Sequence, residues 1–176
     1  MSDIIPSVEF FNQESFKMKD EISPYVIGVG LHTPENIGAI IRLAANLGAK
    51  KAFFIPGKGE YRNAKIERSA SSAGKSMNWE IANLEKIKEE IPADYSWVAI
   101  ETAAEATNLF TTKLPEKCVF IAGNERFGMN DEFLTNCDQK VFIPMPGITK
   151  SMNVSHAMSV TLFEWYRQQY FQLIND

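Results

Sequence analysis

The sequence predicts an α/β fold, a mostly parallel sheet with helices on both faces. Two observations carry this expectation. The predicted strands are apolar along their whole length, as strands covered on both faces are. They also alternate along the chain with segments of helical spacing. A third observation says where a ligand would bind. Loops rich in Gly, Pro, Ser and Asn follow several strands, at the sheet end where open parallel sheets hold ligands.

Each element follows in order. Residues 1–24 form a short lead-in, with Phe10, Phe11 and Phe16 expected to pin it to the body. Residues 25–31 read as a buried strand. Pro34 and Asn36 open a helix, Ile37, Ile40, Ile41 and Ala44 recur at helical spacing, and Gly48 stops it. Residues 52–55 are a second strand, closed by Pro56 and Gly57. Helices are expected over 63–72 and 83–90. Ser96–Ile100 and Cys118–Ala122 are further buried strands, and 141–143 is a short one stopped by Pro144. The last helix runs from about 154 to 173. Val154, Met158, Leu162 and Trp165 form one stripe on it, continued by Phe163, Tyr166, Tyr170 and Leu173. That arc spans roughly 180°, whereas covering one core takes about 100°. The surplus predicts a second surface, another subunit, and so a homodimer; a helix wedged deep into its own core is the alternative.

With 176 residues, 45% hydrophobic and 23% charged, the chain has ordinary globular composition and fits one domain over 1–176. No apolar run approaches the roughly 20 residues of a membrane span, and the start of the chain lacks the pattern of a signal peptide. Cys118 and Cys137 make neither a metal pattern nor a disulfide framework, which predicts packing roles and a cytoplasmic protein. The net charge of −4 argues mildly against nucleic acid, but its distribution says more. Residues 50–75 carry Lys50, Lys51, Lys58, Arg62, Lys65, Arg68 and Lys75 against Glu60 and Glu67. A basic island on an acidic chain suits an anionic ligand; a solvated face explains it equally well.

Several familiar patterns fail. After Gly28 and Gly30 the third glycine of a dinucleotide fingerprint falls on Thr33. Gly123 and Gly128 have phosphate-loop spacing, but Met129 and Asn130 stand where Lys and Ser/Thr are needed. His32 and His156 have no ligand partners nearby in sequence, so no metal is expected. Three segments hold instead: 34–42, 121–128, and 143–147 continued by 151–155. Taken singly each has a plain account, with Asn36 as a helix N-cap, Gly123 and Gly128 as turn residues, and Ser151 or Asn153 capping the last helix.

Taken together, the three segments resemble the signature motifs of the SpoU (TrmH-like) RNA 2′-O-methyltransferases of the knotted SPOUT superfamily. The matches are Asn36-Ile37-Gly38-Ala39-Ile40-Ile41-Arg42, Gly123-Asn124-Glu125 with Gly128, and Ile143-Pro144-Met145 with Ser151-Met152-Asn153-Val154-Ser155, in order and spacing, over about residues 25–170. Met152 stands where relatives often have leucine, a swap that roughly conserves volume. The resemblance implies a C-terminal trefoil knot over roughly 120–154, a homodimer, and an S-adenosylmethionine (AdoMet) pocket built from Gly123, Ile143 and Met152 with Glu101 and Thr102 nearby. It implies transfer of a methyl group to a ribose 2′-hydroxyl of RNA, with Arg42 acting on the hydroxyl proton and Asn36, Glu125, Ser151 and Asn153 orienting Arg42 and the ribose. An arginine is a poor base at neutral pH, so two roles stay open: proton acceptance aided by an RNA phosphate, or clamping that phosphate. RNA is expected to contact Arg62, Lys65, Arg68 and Lys75, with tRNA favoured over rRNA. A knotted-fold base methyltransferase and a catalytically silent RNA-binding protein are the competing functions.

Overall fold

Among the residues that the computed structural model describes (7–13, 19–57, 63–124 and 127–173), seven strands form one sheet. They are β1 (Tyr25–Val29), β2 (Lys51–Ile55), β3 (Trp79–Ile81), β4 (Ser96–Ile100), β5 (Thr107–Asn108), β6 (Cys118–Ala122) and β7 (Gln139–Phe142). Every pairing is parallel, in the order β3-β2-β1-β6-β4-β7-β5. The helices are α1 (Ser7–Gln13), α2 (Pro34–Asn46), α3 (Asn63–Ala70), α4 (Ala73–Ser76), α5 (Leu84–Glu90), α6 (Asp131–Leu134) and α7 (Val154–Leu173).

Successive side chains of a strand point to opposite faces, and both faces here are covered. Val26, Phe54, Val98, Phe120 and Ala122 pack with Ile37, Ile40 and Ile41 of α2 and Met158, Leu162 and Trp165 of α7. Their neighbours Ile27, Phe53, Ala99, Val119 and Ile121 pack on the other side with Leu84 and Ile87 of α5 and Phe133 of α6. The expected α/β architecture is therefore present, and the apolar strands are explained by two cores rather than one.

Helix ends follow their sequence signals. Asn83 caps α5, its side-chain oxygen accepting from the Lys86 amide at 3.0 Å. Gly48 ends α2 at φ +64°, a left-handed conformation that glycine adopts without strain. Asn36 is not a cap: Thr33 caps α2, its hydroxyl accepting from the Asn36 amide at 3.3 Å, and Asn36 lies buried in the first turn.

Other expectations need correction. Phe10 and Phe11 do not pin the lead-in to the body; they are 47% and 69% exposed and contact each other edge to face. Phe16 lies outside the described residues. The helix expected over 63–72 stops at Ala70, because Ser71 takes a left-handed φ of 56° and the chain restarts as α4. Strands β3 and β5 and helix α6 carried no readable signal: they have only 3, 2 and 4 residues, too few to show a period. On α7, Val154, Met158, Leu162 and Trp165 are buried as expected, and the Trp165 indole donates to the Pro115 carbonyl at 2.9 Å. Phe163 and Phe171 remain about half exposed, so the apolar surplus of this helix is real. No helix among the described residues is long and apolar enough to cross a membrane.

One buried charge in β2 ties the sheet to α5. Lys51 is 8% exposed, and its ammonium donates to Glu80 at 2.8 Å and to both oxygens of Glu90 at 2.8 and 2.9 Å. Burial lowers the Lys51 pKa, but the hydrogen bonds to Glu80 and Glu90 outweigh it and leave it raised. Hydrogen bonds from Lys51 and Lys86 hold Glu80 at about 2. A depressed carboxylate stabilises the fold above its unfolded value and loses that contribution as pH falls toward its folded value. Thermal melts should therefore drop in midpoint from about pH 4.5 down to about pH 2, and the drop should be shallower in Lys51→Met. Parallel pH profiles for the two proteins would show that this cluster contributes nothing.

Candidate active site

The strand register builds the site. Ile100 pairs with Ala122 of β6 on one side and with Val141 of β7 on the other. Three adjacent strands thus end at one height, and the next residues, Glu101, Gly123 and the Phe142–Ile143 pair, stand side by side at the carboxyl edge of the sheet. This is where a doubly wound sheet places ligands. A cleft of about 260 Å³ opens there, lined among others by Glu101, Thr102, Gly123, Ile143, Ser151 and Met152. Six of the site residues expected from sequence thus converge on one cavity.

Residues 123–124 and 127–129 are tied to one another where the chain turns back. Asn124 and Gly128 exchange backbone hydrogen bonds at 3.1 and 2.9 Å. The Asn124 amide group donates to the Gly30 carbonyl at 2.6 Å, anchoring the loop to the end of β1, and its oxygen accepts from the Phe127 amide at 3.1 Å. From the other side Glu101 props the loop: one carboxylate oxygen accepts from the Met129 amide at 2.9 Å. The other accepts from the Thr102 amide at 2.9 Å and the Thr102 hydroxyl at 3.4 Å. Gly123 lies under the turn, where a Cβ would stand 2.6 Å from the Gly128 carbonyl carbon and 2.6 Å from the Met129 nitrogen.

The far wall comes from the β7–α7 connection. Ile143, Met145 and Met152 give it apolar surface, and Lys150 closes it by donating to the Met145 carbonyl at 2.8 Å. Asn153 then does two things. Its oxygen caps α7, accepting from the Ser155 amide at 2.9 Å and the Ser155 hydroxyl at 2.6 Å. Its amide group donates to the buried Asn36 oxygen at 3.0 Å, across 117 residues of sequence. The first and third motifs are clasped together by this pair.

Not every expected residue reaches the cleft. Asn36 and Asn153 stand beside it as a clasp, and Arg42 is exposed on α2 without lining it. Lys65, Arg68 and Lys75 are exposed on α3 and α4, which pack beside α2. There a Gly38 Cβ would meet the Ser69 Cβ at 2.4 Å, so glycine is what allows the close approach. Glu125 and Arg62 lie outside the described residues. Sequence reasoning missed Asn124, Met145 and Lys150. Asn124 and Met145 sat inside recognised motifs without being given a role, but Lys150 carried no signal. Cys118 and Cys137 are free, and burial pushes both thiols up, Cys137 to about 12, so neither suits a nucleophile.

With this geometry in view, the model of the SpoU rRNA Methylase family matches residues 23–163. The chain is 33% identical over 142 residues to the 23S rRNA (guanosine-2′-O-)-methyltransferase RlmB of Xylella fastidiosa, covering 80% of this chain and 57% of that protein. It therefore spans little more than half the length of that relative. The AdoMet-bound rRNA methyltransferase of Sinorhizobium meliloti superposes with a TM-score of 0.74 at 25% identity, covering 82% of this chain and 56% of that one. A structure reported as insights into the 2-OH methylation of C/U34 on tRNA also superposes at 0.74 and 25% identity, covering 84% of this chain and 97% of that one.

Proposed function

This chain belongs to the SpoU rRNA methylase family, and from that premise we propose that it transfers a methyl group from AdoMet to a ribose 2′-hydroxyl of RNA. The observation that carries the proposal is the convergence of Gly123, Ile143, Met152, Glu101 and Thr102 on one cleft at the carboxyl edge of the sheet. The cleft fits the donor chemically. Ile143 and Met152 offer apolar walls to an adenine, and a Cβ-free Gly123 leaves backbone amides open to approach. The Glu101 carboxylate faces a ligand that carries positive charge.

When bound, AdoMet supplies a methyl carbon whose bond to sulfur breaks as the bond from the ribose oxygen forms, the electron pair leaving on a neutral thioether. The chain itself positions the partners and deals with the hydroxyl proton. The Asn36–Asn153 clasp fixes the start of α2 against the start of α7, which sets the direction in which α2 presents Arg42. Since Arg42 does not line the cleft of its own chain, it acts on the ribose at a partner's cleft. A homodimer packed through the exposed aromatic face of α7, with Phe163 and Phe171, provides that partner. The knot implied by the motifs belongs to the same proposal, as does a cytoplasmic workplace.

Ribosomal RNA is the favoured substrate class, because relatives at 30% identity and above, among them the Xylella fastidiosa and Salmonella typhi proteins, bear 23S rRNA names. Transfer RNA, the expectation from sequence, keeps one observation on its side: the tRNA-related structure is covered over 97% of its length. The deciding experiment is purified protein with methyl-labelled AdoMet and total RNA, followed by nuclease mapping. Label in nuclease-resistant 2′-O-methyl dinucleotides is expected; label in bases, or none, overturns the proposal. Calorimetry should find AdoMet binding in the micromolar range, about −6 to −8 kcal/mol.

The basic surface of α3 and α4 supplies the phosphate contacts. Replacing Lys65, Arg68 and Lys75 by alanine should weaken RNA binding and flatten its salt dependence, each lost contact lowering the slope by about one. AdoMet affinity should stay as it was. An unchanged salt slope would mean these side chains are merely solvated.

A further inference from the structure

We propose that Glu101 makes the cleft charge-selective, its carboxylate favouring the cationic methyl donor over the neutral demethylated product. The proposal rests on the cleft being the AdoMet site and asks what distinguishes substrate from product there.

Glu101 stands at the centre of the three aligned strand ends and lines the cleft. Among the described residues its hydrogen bonds come from neutral donors: the Met129 amide at 2.9 Å, the Thr102 amide at 2.9 Å and the Thr102 hydroxyl at 3.4 Å. Among the described residues no Lys, Arg or His forms an ion pair with it. Lys150, the one lysine in the cleft wall among the described residues, gives its ammonium to the Met145 carbonyl instead. Neutral amides orient a carboxylate without cancelling its charge. In a half-enclosed cleft, where the effective dielectric is well below that of water, such a charge acts strongly on a ligand cation.

AdoMet and S-adenosylhomocysteine share adenine, ribose and the amino-acid tail. They differ by one methyl group and one positive charge at sulfur. An uncompensated anion in the wall therefore acts on the difference between them. Once the methyl is transferred, the sulfur is neutral and this attraction is gone, which speeds product exchange. Glu101 also props the loop by accepting from the Met129 amide at 2.9 Å, and it stands so close that a Cβ on Gly128 would lie 2.6 Å from its carboxylate oxygen. That role affects both ligands alike.

The test separates the two roles. Calorimetry on wild type, Glu101→Gln and Glu101→Asp would use AdoMet, S-adenosylhomocysteine, and sinefungin, which carries an amine in place of the sulfonium. Glu101→Gln should weaken AdoMet and sinefungin about tenfold more than S-adenosylhomocysteine. Glu101→Asp should weaken all three and preserve their ratios to within about threefold. Equal losses for the three ligands in Glu101→Gln overturn the proposal and leave Glu101 a loop prop. If Glu101→Gln does not fold, wild-type protein decides. AdoMet and sinefungin affinity should then fall more steeply with ionic strength than that of S-adenosylhomocysteine, and parallel slopes overturn the proposal. A wild-type protein that binds none of the three overturns the cleft assignment itself, a result distinct from unchanged ratios in a protein that binds.

Discussion

Gly123→Ala is expected to abolish AdoMet binding while leaving the fold standing. The added Cβ would lie 2.6 Å from the Gly128 carbonyl carbon, 2.6 Å from the Met129 nitrogen and 2.7 Å from the Gly128 oxygen. All three are backbone atoms, so no side chain can rotate away. The turn must lift, at an overpacking cost of about 1–3 kcal/mol. Lifting it pulls the Met129 amide off Glu101 and the Asn124 side chain off Gly30. Since the turn is the cleft wall, affinity should fall by more than roughly 100-fold. The sheet is held by its own strand pairing and by two cores to which this turn contributes only Met129, so the far-ultraviolet circular dichroism should not change. Titration calorimetry showing near-normal AdoMet affinity would mean that the turn relaxes without cost.

Arg42→Ala should lose methyl transfer by about 100-fold or more and still bind AdoMet, because Arg42 is exposed on α2 and contributes nothing to the cleft of its own chain. Mixing it with Gly123→Ala tests where it acts. Suppose the two inactive proteins are unfolded together and refolded as dimers. In a mixed dimer, the sound cleft belongs to the Arg42→Ala subunit and the sound arginine to the Gly123→Ala subunit. If Arg42 reaches across a two-fold interface, one of the two sites is complete. With about half of the dimers mixed, roughly a quarter of wild-type activity should return. Gly123 serves this design better than Asn153, whose amide holds Asn36 of the same chain and so cannot be assigned to one cleft. Proven mixed dimers without activity would place Arg42 at its own subunit's site.

The sequence foretold the parts of this molecule that are set locally. Buried strands, the helix beginning near Asn83 and the Gly48 stop each follow from a few neighbouring residues. The cleft was legible because glycines, asparagines and prolines in core-flanked loops had no adequate structural account together. What was hidden depends on pairings remote in sequence. Asn36 looked like a cap because nothing near it reveals a partner 117 residues away. Glu101 read as a cofactor contact, whereas its bond to the Met129 amide makes it a prop as well. The short edge strands β3 and β5 gain their structure from β2 and β7, not from their own composition.

The strand order carries a consequence for synthesis. Strand β6 lies between β1 and β4, and β4 finds its other neighbour in β7. A nascent chain that has emerged only through β4 therefore leaves Tyr25–Val29 paired on one side only and Ser96–Ile100 with no partner at all. Until Cys118–Ala122 leaves the ribosome, the sheet cannot close its centre. Distant pairing of this kind is slow and leaves sticky edges exposed while it waits. The chain's vulnerable moment thus lasts until β6 emerges, and a fragment ending before residue 118 leaves Ser96–Ile100 without either of its strand partners.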